Sequence, residues 1–369
     1  MSNSSRYSLS IVIPCFNEEA ILLNNLEVIT EYLRTEMTDY DWEVLIINDG
    51  SKDSTGKIAD EFAVANKRTR VIHHPTNLNL GRALQTGFLN AKGDIIIVLD
   101  VDLSYSTENI RRLSDKLVET EADIVIASPY MKGGKVVAVP FKRKIMSRWV
   151  NRFLSFAAQE KYFTFTGMVR AYRRTYIRSV NLKTKDYEIN PEIIYKSMIL
   201  RARIVEIPAT LDWTEQMKYT GKRTSSMRII RSTISSLMSA FIFRPYIYFW
   251  IVGIALLVSS FYQLGWLLYY TLHDMSAFGI DKNYPGGPFS QSLALQFKKN
   301  PQSFVVGGIT FIIAIQFFSV GFLSLQNKRY FEELFHLGTF LRRQTKFEEM
   351  DKSESRSRDQ KMPEVEKTM

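Results

Sequence analysis

Residues 95–102 read Ile-Ile-Ile-Val-Leu-Asp-Val-Asp, and this stretch decides the fold prediction. An aliphatic run that ends in polar residues is typical of a strand buried on both faces of a parallel sheet. Asp100 and Asp102 follow directly, and alternate residues of an extended segment point the same way. The sequence therefore predicts a buried strand that brings two carboxylates to one edge of a sheet.

Three comparable strands are predicted upstream, with helical stretches between them. The strands cover residues 9–13, 44–48 and 71–74, the fourth covers 95–99, and helices are expected to begin near Asn17, Ser54, Asn79 and Thr107. This alternation predicts the α/β class with a mostly parallel, doubly wound sheet. Such sheets bind ligands beyond the carboxyl ends of their strands. The polar residues expected there are Asn17, Glu18, Asp49, Gly50, Ser51, Asp53, Asp100 and Asp102.

The Asp100-Val101-Asp102 segment is interpreted as a metal site. Two carboxylates that face one cation suit Mg²⁺ or Mn²⁺, which take oxygen ligands and bridge phosphates. A single carboxylate at a strand end is more often a helix cap, and Asp53 fits that alternative. No Gly-x-Gly-x-x-Gly follows the first strand and no P-loop is present, which disfavours a Rossmann dehydrogenase.

Charge is distributed unevenly along the 369 residues, whose net charge is +10. Residues 1–129 carry a net charge of −8, residues 130–235 carry +15, and residues 236–326 hold only 4 basic and 2 acidic side chains. Cys15 is the single cysteine, which excludes a disulfide scaffold and favours a reducing, cytosol-facing environment. An acidic part and a basic part thus precede a nearly uncharged one.

Two long uncharged runs, 245–272 and 300–327, lie in this last part. Residues 304–325 alone would form a helix of about 33 Å, which matches a hydrocarbon core of about 30 Å. Aromatic residues near the ends of the runs suit a membrane interface, so two membrane spans are preferred to buried helices of a soluble domain. Flanking basic residues predict both termini in the cytoplasm, and the polar start of the chain predicts no signal peptide.

Residues 130–152 contain seven basic residues, no acidic residue and many interleaved apolar ones. This pattern fits an amphipathic helix on an anionic membrane surface, and it would also suit a nucleic acid. The neighbouring membrane spans favour lipid, so no nucleic-acid partner is predicted. A solvated basic face is the simpler interpretation for most of these residues. Within this stretch the spacing of Arg143 and Ser147 places the two residues on one helical face.

The motifs stand in the order found in the family 2 glycosyltransferases, which the chain resembles over about residues 8–230. The segments that carry the resemblance are IVIPCFNEE at 11–19, NDGSKD at 48–53, residues 77–87, DVD at 100–102 and TGMVR at 166–170. Within the family the chain is similar to the polyprenyl-phosphate glycosyltransferases, such as dolichol-phosphate mannose synthases. The resemblance implies a GT-A fold, a Rossmann-like doubly wound sheet domain, followed here by interfacial helices and two transmembrane helices.

The resemblance also implies a donor site for a UDP- or GDP-sugar. Asp49 would bind the base, while Asp100 and Asp102 would hold the metal and the diphosphate. The implied nucleotide-sugar-binding residues are Pro14, Asn17, Glu18, Asp49, Gly81, Arg82, Asp100 and Lys218. Lys218 opens a segment, 218–223, that looks like the family's mobile loop, whose cation closes on the diphosphate. An exposed charge cluster beside the membrane is the alternative for this segment.

On the acceptor side, the family uses an Arg and a Ser four residues later to hold the acceptor phosphate. Here these would be Arg143 and Ser147, and an arginine offers forked donors to phosphate oxygens. Pro129 stands where close relatives have a further Arg, so Lys132 or Lys135 is expected to replace it. Two other departures are Ser104 at a position where the family often has Gln, and Lys218 at an Arg position.

The chemistry follows from the acceptor. A lipid monophosphate has a second pKa of about 6, so its oxygen is an anionic nucleophile near pH 7 and needs no general base. The hypothesis is an inverting, metal-dependent hexosyltransferase that moves a hexose from a GDP-mannose or UDP-glucose type donor to a polyprenyl or dolichyl phosphate. Asp100, Asp102 and Arg143 would be its catalytic residues, and Mg²⁺ or Mn²⁺ its cofactor.

Two alternatives stay open. Relatives that use a hydroxyl acceptor need a carboxylate base, commonly within a Glu-Asp pair; residues 187–193 lack that pair, although Glu192 remains a candidate. The second alternative is a non-catalytic GT-A membrane subunit. A processive polysaccharide synthase is disfavoured, because no Gln-x-x-Arg-Trp motif is found in the expected region.

The expected organisation follows from these interpretations. The partners would be a nucleotide sugar, a polyprenyl or dolichyl phosphate and the lipid bilayer, and a homo-oligomer is left open. The expected parts are a GT-A catalytic domain (1–222), an interfacial amphipathic helix (223–244), a first transmembrane helix (245–272), an external loop (273–302), a second transmembrane helix (303–326) and a cytoplasmic, partly disordered tail (327–369).

Overall fold

A seven-stranded sheet organises the N-terminal part of the computed structural model, which describes residues 7–157, 162–214, 245–275 and 285–359. The strand order is β3-β2-β1-β4-β7-β5-β8, and only β7 runs antiparallel to its neighbours. The strands are β1 (Ser8–Cys15), β2 (Asp41–Asn48), β3 (Thr69–His73), β4 (Ile95–Val98), β5 (Ile124–Ser128), β7 (Arg170–Arg173) and β8 (Ile204–Pro208). The predicted α/β, doubly wound sheet is confirmed.

Helices cover both faces of the sheet. They are α1 (Leu22–Glu36), α2 (Thr55–Ala65), α3 (Leu80–Asn90), α4 (Glu108–Glu119), α5 (Phe141–Ala157), α6 (Arg174–Ser179) and α7 (Ile189–Ile199). Alternate residues of a strand point to opposite faces. Accordingly Ile11 and Ile13 pack in the core that contains residues of α1, α2 and α4, while Val12 packs in the core with residues of α3, α5, α6 and α7. The central strands are therefore apolar at nearly every position.

One predicted helix start is wrong. α1 begins at Leu22, later than the expected start near Asn17. Asn17 has a φ of 56°, in the left-handed region, and the backbone N–H of Glu18 donates to the Thr55 hydroxyl at 2.8 Å. The residues after β1 are thus held to the start of α2 before the helix can begin. The other three starts, after Ser54, Asn79 and Thr107, agree with the structure.

A second, two-stranded sheet lies beside the last strands of the main one. It pairs β6 (Lys135–Val137) in parallel with β9 (Thr210–Asp212). Its second strand is joined to the β4–α4 loop, because the N–H of Asp212 donates to the carbonyl of Ser104 at 2.8 Å. This small sheet therefore connects the segment before α5 with the loop that follows β4.

Residues 244–333 form a separate unit. It contains α8 (Pro245–Met275), α9 (Gly287–Lys299) and the first part of α10 (Pro301–Asp359). Two stretches, Tyr246–Met275 and Pro301–Leu341, are long and apolar enough to cross a membrane and are candidate spans. Small residues bring α8 and α10 together: the Ser260 hydroxyl donates to the Gly307 carbonyl at 2.8 Å, as is common between membrane helices.

The described helices extend beyond the predicted boundaries. α9 lies within residues 273–302, which were expected to form an external loop, and α10 continues without interruption past residue 326 to Asp359. Residues 360–369, at the end of the predicted tail, lie outside the described residues. The predicted interfacial helix at 223–244 also lies outside them.

Candidate functional site

The carboxyl ends of β1, β2 and β4 meet at one edge of the sheet, since these strands are parallel neighbours. Asn17 and Glu18 follow β1, Asp49 follows β2, and Asp100 and Asp102 follow β4. The predicted donor-site residues from three strands are thus delivered to the same edge, which we call the acidic edge. Pro14 lies within β1, next to last in the strand.

Hydrogen bonds lock the loop after β1 to the loop after β2. The backbone N–H of Asn17 donates to the Ser51 hydroxyl at 3.0 Å, and its side-chain oxygen accepts from the Lys52 N–H at 2.9 Å. Asp53 accepts from the backbone N–H and the hydroxyl of Thr55, the first residue of α2, but the N-cap residue of this helix is Ser54. Both loops are therefore fixed by groups within the protein.

Asp49 is buried, with 4% of its surface exposed. Its Oδ1 accepts from the Leu78 N–H at 2.9 Å and lies 2.7 Å from Nδ1 of His74, whose Nε2 lies 2.9 Å from the Thr86 hydroxyl. Since a carboxylate accepts hydrogen bonds, Nδ1 of His74 is assigned as the donor to Asp49. Gly50 beside it has a φ of +67°, and a Cβ there would lie 2.3 Å from the Thr76 carbonyl carbon.

The predicted metal pair lies on the loop after β4. Loss of solvent around the Asp100 carboxyl, together with the negative charges of Asp102 and Glu18, raises its pKa well above the usual value. Asp102 Oδ1 accepts from the Ser104 N–H at 2.9 Å, which fixes one oxygen of its carboxylate. Two carboxylates on one loop supply oxygen ligands of the kind that Mg²⁺ and Mn²⁺ take.

The aspartates supply only part of a coordination sphere. Among the described residues, no group of three or more His, Cys, Asp or Glu side chains could hold a metal ion. Mg²⁺ is usually bound through one or two carboxylates, with substrate phosphates and water completing the sphere. The arrangement therefore suits an ion that arrives with a diphosphate better than a permanently bound one.

Gly81 and Arg82 occupy the first turn of α3. A Cβ on Gly81 would lie 2.5 Å from the carbonyl carbon of Lys185, so glycine is needed for this close approach. Arg82 is exposed, and its Nη1 donates to the Gln85 side chain at 3.0 Å. The structure thus gives Gly81 a packing role against the segment before α7, and it leaves the predicted nucleotide contact of Arg82 as a prediction.

Arg143 and Ser147 lie one turn apart on α5, as predicted. Ser147 accepts a hydrogen bond from the Tyr130 hydroxyl at 2.7 Å, and the Asn151 amide donates to the Ser147 carbonyl at 2.9 Å. The guanidinium carbon of Arg143 lies 4.1 Å from the centre of the Trp213 ring. Partial desolvation lowers the pKa of Arg143, against the opposing effects of Tyr187, Tyr130 and Asp102; the side chain stays charged, as arginines in proteins do.

α5 has one buried face and one exposed apolar face. Val150 and Leu154 pack in the core, whereas Phe141 and Trp149 are 75% and 69% exposed and Ile145 is also exposed. The positions 141, 145 and 149 recur at the helical i, i+4 spacing, so these side chains lie on one face. Exposed basic residues, Arg148 and Arg152 among them, accompany this face. This is the amphipathic character that the sequence predicted.

Of the other predicted cations, Lys132 and Lys135 are both exposed, on the turn before β6 and on β6. Pro129, which stands at the family's Arg position, is buried. Lys218 and the segment 218–223 lie outside the described residues. The structure therefore leaves the choice between Lys132 and Lys135 as a prediction.

Glu192, the candidate base, is occupied by protein contacts. It accepts from the backbone N–H groups of Lys183 and Thr184 at 3.0 Å each, and from the Lys196 ammonium at 2.6 Å. Burial works to raise its pKa, but these hydrogen bonds outweigh it and hold the pKa below the usual range. The carboxylate thus anchors the start of α7 to the preceding segment.

Sequence reasoning missed His74, Tyr130 and Trp213. His74 directly follows β3 at the same sheet edge as Asp49, and a histidine at that place was a usable signal. Tyr130 directly follows Pro129 and carried no signal of its own. Trp213 approaches Arg143 from a distant part of the chain, and no local pattern predicts that contact.

Residues 10–180 match the family described as Glycosyl transferase family 2. Polyprenol monophosphomannose synthase of Mycolicibacterium smegmatis is 30% identical over 207 residues, which cover 54% of this chain and 76% of that protein. Dolichyl-phosphate beta-glucosyltransferase ALG5C of Trichomonas vaginalis is 23% identical over 239 residues, covering 61% of this chain and 70% of that protein.

Among solved structures, glucosyl-3-phosphoglycerate synthase from Mycobacterium tuberculosis, crystallised with Mn²⁺, UDP-glucose and phosphoglyceric acid, has a TM-score of 0.46. It is 17% identical, and the match covers 63% of this chain and 79% of that chain. A likeness of this degree has no bearing on what the present chain binds.

Proposed function

Since this chain belongs to the family 2 glycosyltransferases and is a glycosyltransferase enzyme, we propose that it transfers a hexose from a nucleotide diphosphate sugar to a polyprenyl or dolichyl phosphate. Arg143 and Ser147, one turn apart on a helix rich in basic residues, are the observation that carries the proposal. A lipid monophosphate is the acceptor that needs such a cationic helix, because a neutral hydroxyl does not.

The acidic edge supports a nucleotide sugar as the donor. Asp49, buried and held through one carboxylate oxygen, would accept hydrogen bonds from the base. Asp100 and Asp102 would hold Mg²⁺ or Mn²⁺ together with the donor diphosphate. When bound, the ion would supply positive charge that stabilises the leaving nucleoside diphosphate. Pro14, Asn17, Glu18, Gly81, Arg82 and Lys218 complete the proposed donor site.

The acceptor side supports a phosphate nucleophile. The Arg143 guanidinium and the Ser147 hydroxyl would hold the phosphate, with Lys132 or Lys135 as a further cation. One phosphate oxygen forms a bond to the anomeric carbon, while the bond from that carbon to the diphosphate oxygen breaks and its electron pair leaves with the nucleoside diphosphate. A single displacement inverts the anomeric centre, so an α-linked donor gives a β-linked product.

No general base is required in this step, because the phosphate oxygen is anionic near neutral pH. The contacts of Glu192 agree with this, since its carboxylate is taken up by Lys183, Thr184 and Lys196. The protein's contribution is alignment of the two substrates and neutralisation of their negative charges. Transfer to a lipid hydroxyl, the alternative, would require a carboxylate in the base position.

The membrane arrangement is proposed with the function. The catalytic domain at residues 1–222 would work on the cytoplasmic face, with the spans at 245–272 and 303–326 and both termini on that side. The exposed Phe141, Ile145 and Trp149 on α5, accompanied by basic residues, are suited to an anionic membrane surface. Both candidate spans are uncharged over a membrane length.

Mannose is the first sugar to test, since the relative at 30% identity is named a polyprenol monophosphomannose synthase. Glucose is the second, since the relative at 23% identity is named a dolichyl-phosphate beta-glucosyltransferase. Purified full-length protein is incubated with radiolabelled GDP-mannose or UDP-glucose and with polyprenyl phosphate or the matching polyprenol. The proposal expects a mild-acid-labile product from the phosphate alone, with a metal requirement and a β linkage by NMR.

The other outcomes separate the alternatives. Label on the polyprenol alone would replace the proposal with transfer to a hydroxyl. Binding of the lipid without turnover of any donor would favour a non-catalytic membrane subunit. Undiminished transfer in excess chelator would remove the metal from the mechanism while leaving the acceptor assignment in place.

A further inference from the structure

Arg143 is stacked on an aromatic ring that has no part in the donor site described above. Its guanidinium carbon lies 4.1 Å from the centre of the half-buried Trp213 ring. A cation within about 6 Å of a ring centre is attracted by the negative face of the ring, and tryptophan is the strongest partner. The two residues come from separate parts of the chain, since Arg143 lies at the start of α5 and Trp213 directly follows β9.

Trp213 is held in place by the small sheet. Its N–H donates to the Val137 carbonyl at 3.2 Å, directly after the paired positions Val137 and Asp212. The neighbouring Asp212 N–H donates to the Ser104 carbonyl at 2.8 Å, and the Ser104 N–H donates to Asp102 at 2.9 Å. A short backbone path therefore connects the ring under Arg143 with the loop that carries the proposed metal ligands.

Stacking leaves the hydrogen-bonding edge of an arginine available. A guanidinium has five N–H donors in its plane, and an aromatic ring below that plane uses none of them. Among the residues that the structure describes, none accepts a hydrogen bond from the Arg143 guanidinium. The indole can thus fix the tilt of the side chain while an edge of the guanidinium stays available to hold an incoming anion through two N–H groups.

We propose that Trp213 is a positioning residue for the acceptor phosphate, one that orients Arg143 and sets its place relative to the loop of Asp102. The inference rests on the proposed function for the identity of the acceptor. In this arrangement β9 and the residue after it position the two substrates relative to each other. Asp212 contacts the loop of the proposed metal ligands, and Trp213 contacts Arg143. Trp213 acts through Arg143 and does not itself contact the reacting atoms.

The test compares Trp213→Phe with Trp213→Leu. Phenylalanine keeps a π face under the guanidinium, whereas leucine fills the space without one, so a difference between them isolates the stacking. We expect Trp213→Leu to raise the KM for polyprenyl phosphate by about tenfold, the upper part of the range for such contacts, with the donor KM unchanged. Trp213→Phe should stay within about threefold of the wild type.

Trp42→Phe is the matched control. Trp42 stacks with Arg68, at 4.8 Å from the guanidinium carbon to the ring centre, and lies at the other end of β2 from the acidic edge. This variant should leave both KM values unchanged. Equal acceptor KM values for Trp213→Phe and Trp213→Leu, or a rise in donor KM as large as that in acceptor KM, would overturn the positioning role.

A binding measurement distinguishes failure of this inference from failure of the proposed function. Calorimetry of the full-length protein with a short-chain prenyl phosphate should give a dissociation constant that rises in Trp213→Leu and returns towards the wild-type value in Trp213→Phe. If the wild type binds the prenyl phosphate and Trp213→Leu binds it equally well, the inference fails alone. If the wild type does not bind it, both the inference and the acceptor assignment fail.

Discussion

The acidic edge and α5 are built in different ways. At the acidic edge, Asn17, Asp49 and Asp102 each accept a hydrogen bond from a backbone N–H, so the sheet and its loops set their positions. On α5, Arg143 and Ser147 are contacted by the side chains of Trp213 and Tyr130. The proposed donor side is thus held largely by hydrogen bonds to backbone N–H groups, with His74 as a side-chain support for Asp49, whereas the proposed acceptor residues are contacted by side chains from other elements.

This difference has a consequence for substitutions. A substitution at the acidic edge should change the KM of the nucleotide sugar and leave the KM of the lipid phosphate unchanged. A substitution near α5 should raise the KM of the lipid phosphate. A conservative replacement that keeps the side-chain contact should keep that KM near the wild-type value.

The largest effect is expected from Asp102→Ala. Loss of a carboxylate that would hold the metal and the diphosphate should lower kcat by about 10³-fold, the upper size for loss of one electrostatic contact to a transition state. Initial rates with saturating Mg²⁺ or Mn²⁺ measure this. Asp60→Ala, which removes an exposed carboxylate on α2, is the control. Equal rates in the two variants would remove Asp102 from catalysis.

His74 tests how the donor side is supported. In His74→Asn the amide can take the place of Nδ1 and donate to Asp49, whereas in His74→Gln the amide lies near the position of Nε2. We expect His74→Gln to raise the dissociation constant of the nucleoside diphosphate by about tenfold, the size of one hydrogen bond to a charged group. His74→Asn should bind nearly as the wild type does. Calorimetry that gives the two variants equal affinities would contradict this support.

Ser147→Ala tests the acceptor side with a smaller change. Removal of one hydroxyl donor should raise the acceptor KM about tenfold, the low end for a single hydrogen bond to a charged group, and leave the donor KM unchanged. Ser155→Ala on the same helix is the matched control. If both variants have the same acceptor KM, the hydroxyl of Ser147 does not hold the phosphate.

Glu192→Gln is expected to change stability without changing kinetics. The lowered pKa of Glu192 means that its ionised form stabilises the folded state above the ordinary carboxyl pKa, and that this contribution is lost as the pH falls through the folded value. At pH 7 the variant should lose about 1–2 kcal/mol of unfolding free energy, and the difference should narrow near pH 4. A large fall in kcat with unchanged stability would instead restore Glu192 as a base.

Much of the fold could be predicted, because it depends on local patterns. Four aliphatic runs predicted the strands β1, β2, β3 and β4 of the GT-A domain. The polar residues that follow these runs predicted the acidic edge. The start of α1 was misplaced because Asn17 and Glu18 are held by Ser51 in the loop after β2 and by Thr55 at the start of α2. That kind of contact leaves no trace in the spacing of apolar residues.

For the candidate site, several of the residues could be predicted, but their side-chain partners could not. Arg143 and Ser147 were paired through the resemblance to the family, and their helical spacing agrees with that pairing. The partners Trp213, Tyr130 and His74 come from elements distant in the chain, so their contacts depend on the tertiary fold. Lys218 lies outside the described residues, and its role on the diphosphate stays a prediction.

The most direct test of the division between donor and acceptor sides is a crossed kinetic measurement on Asp49→Asn and Arg143→Ala. Both KM values are determined for each variant with the preferred nucleotide sugar and polyprenyl phosphate. The account predicts that Asp49→Asn raises only the donor KM and that Arg143→Ala raises only the acceptor KM. If both variants raise the same KM, or if Arg143→Ala leaves the acceptor KM unchanged, the assignment of the acidic edge to the donor and of α5 to the lipid phosphate is wrong.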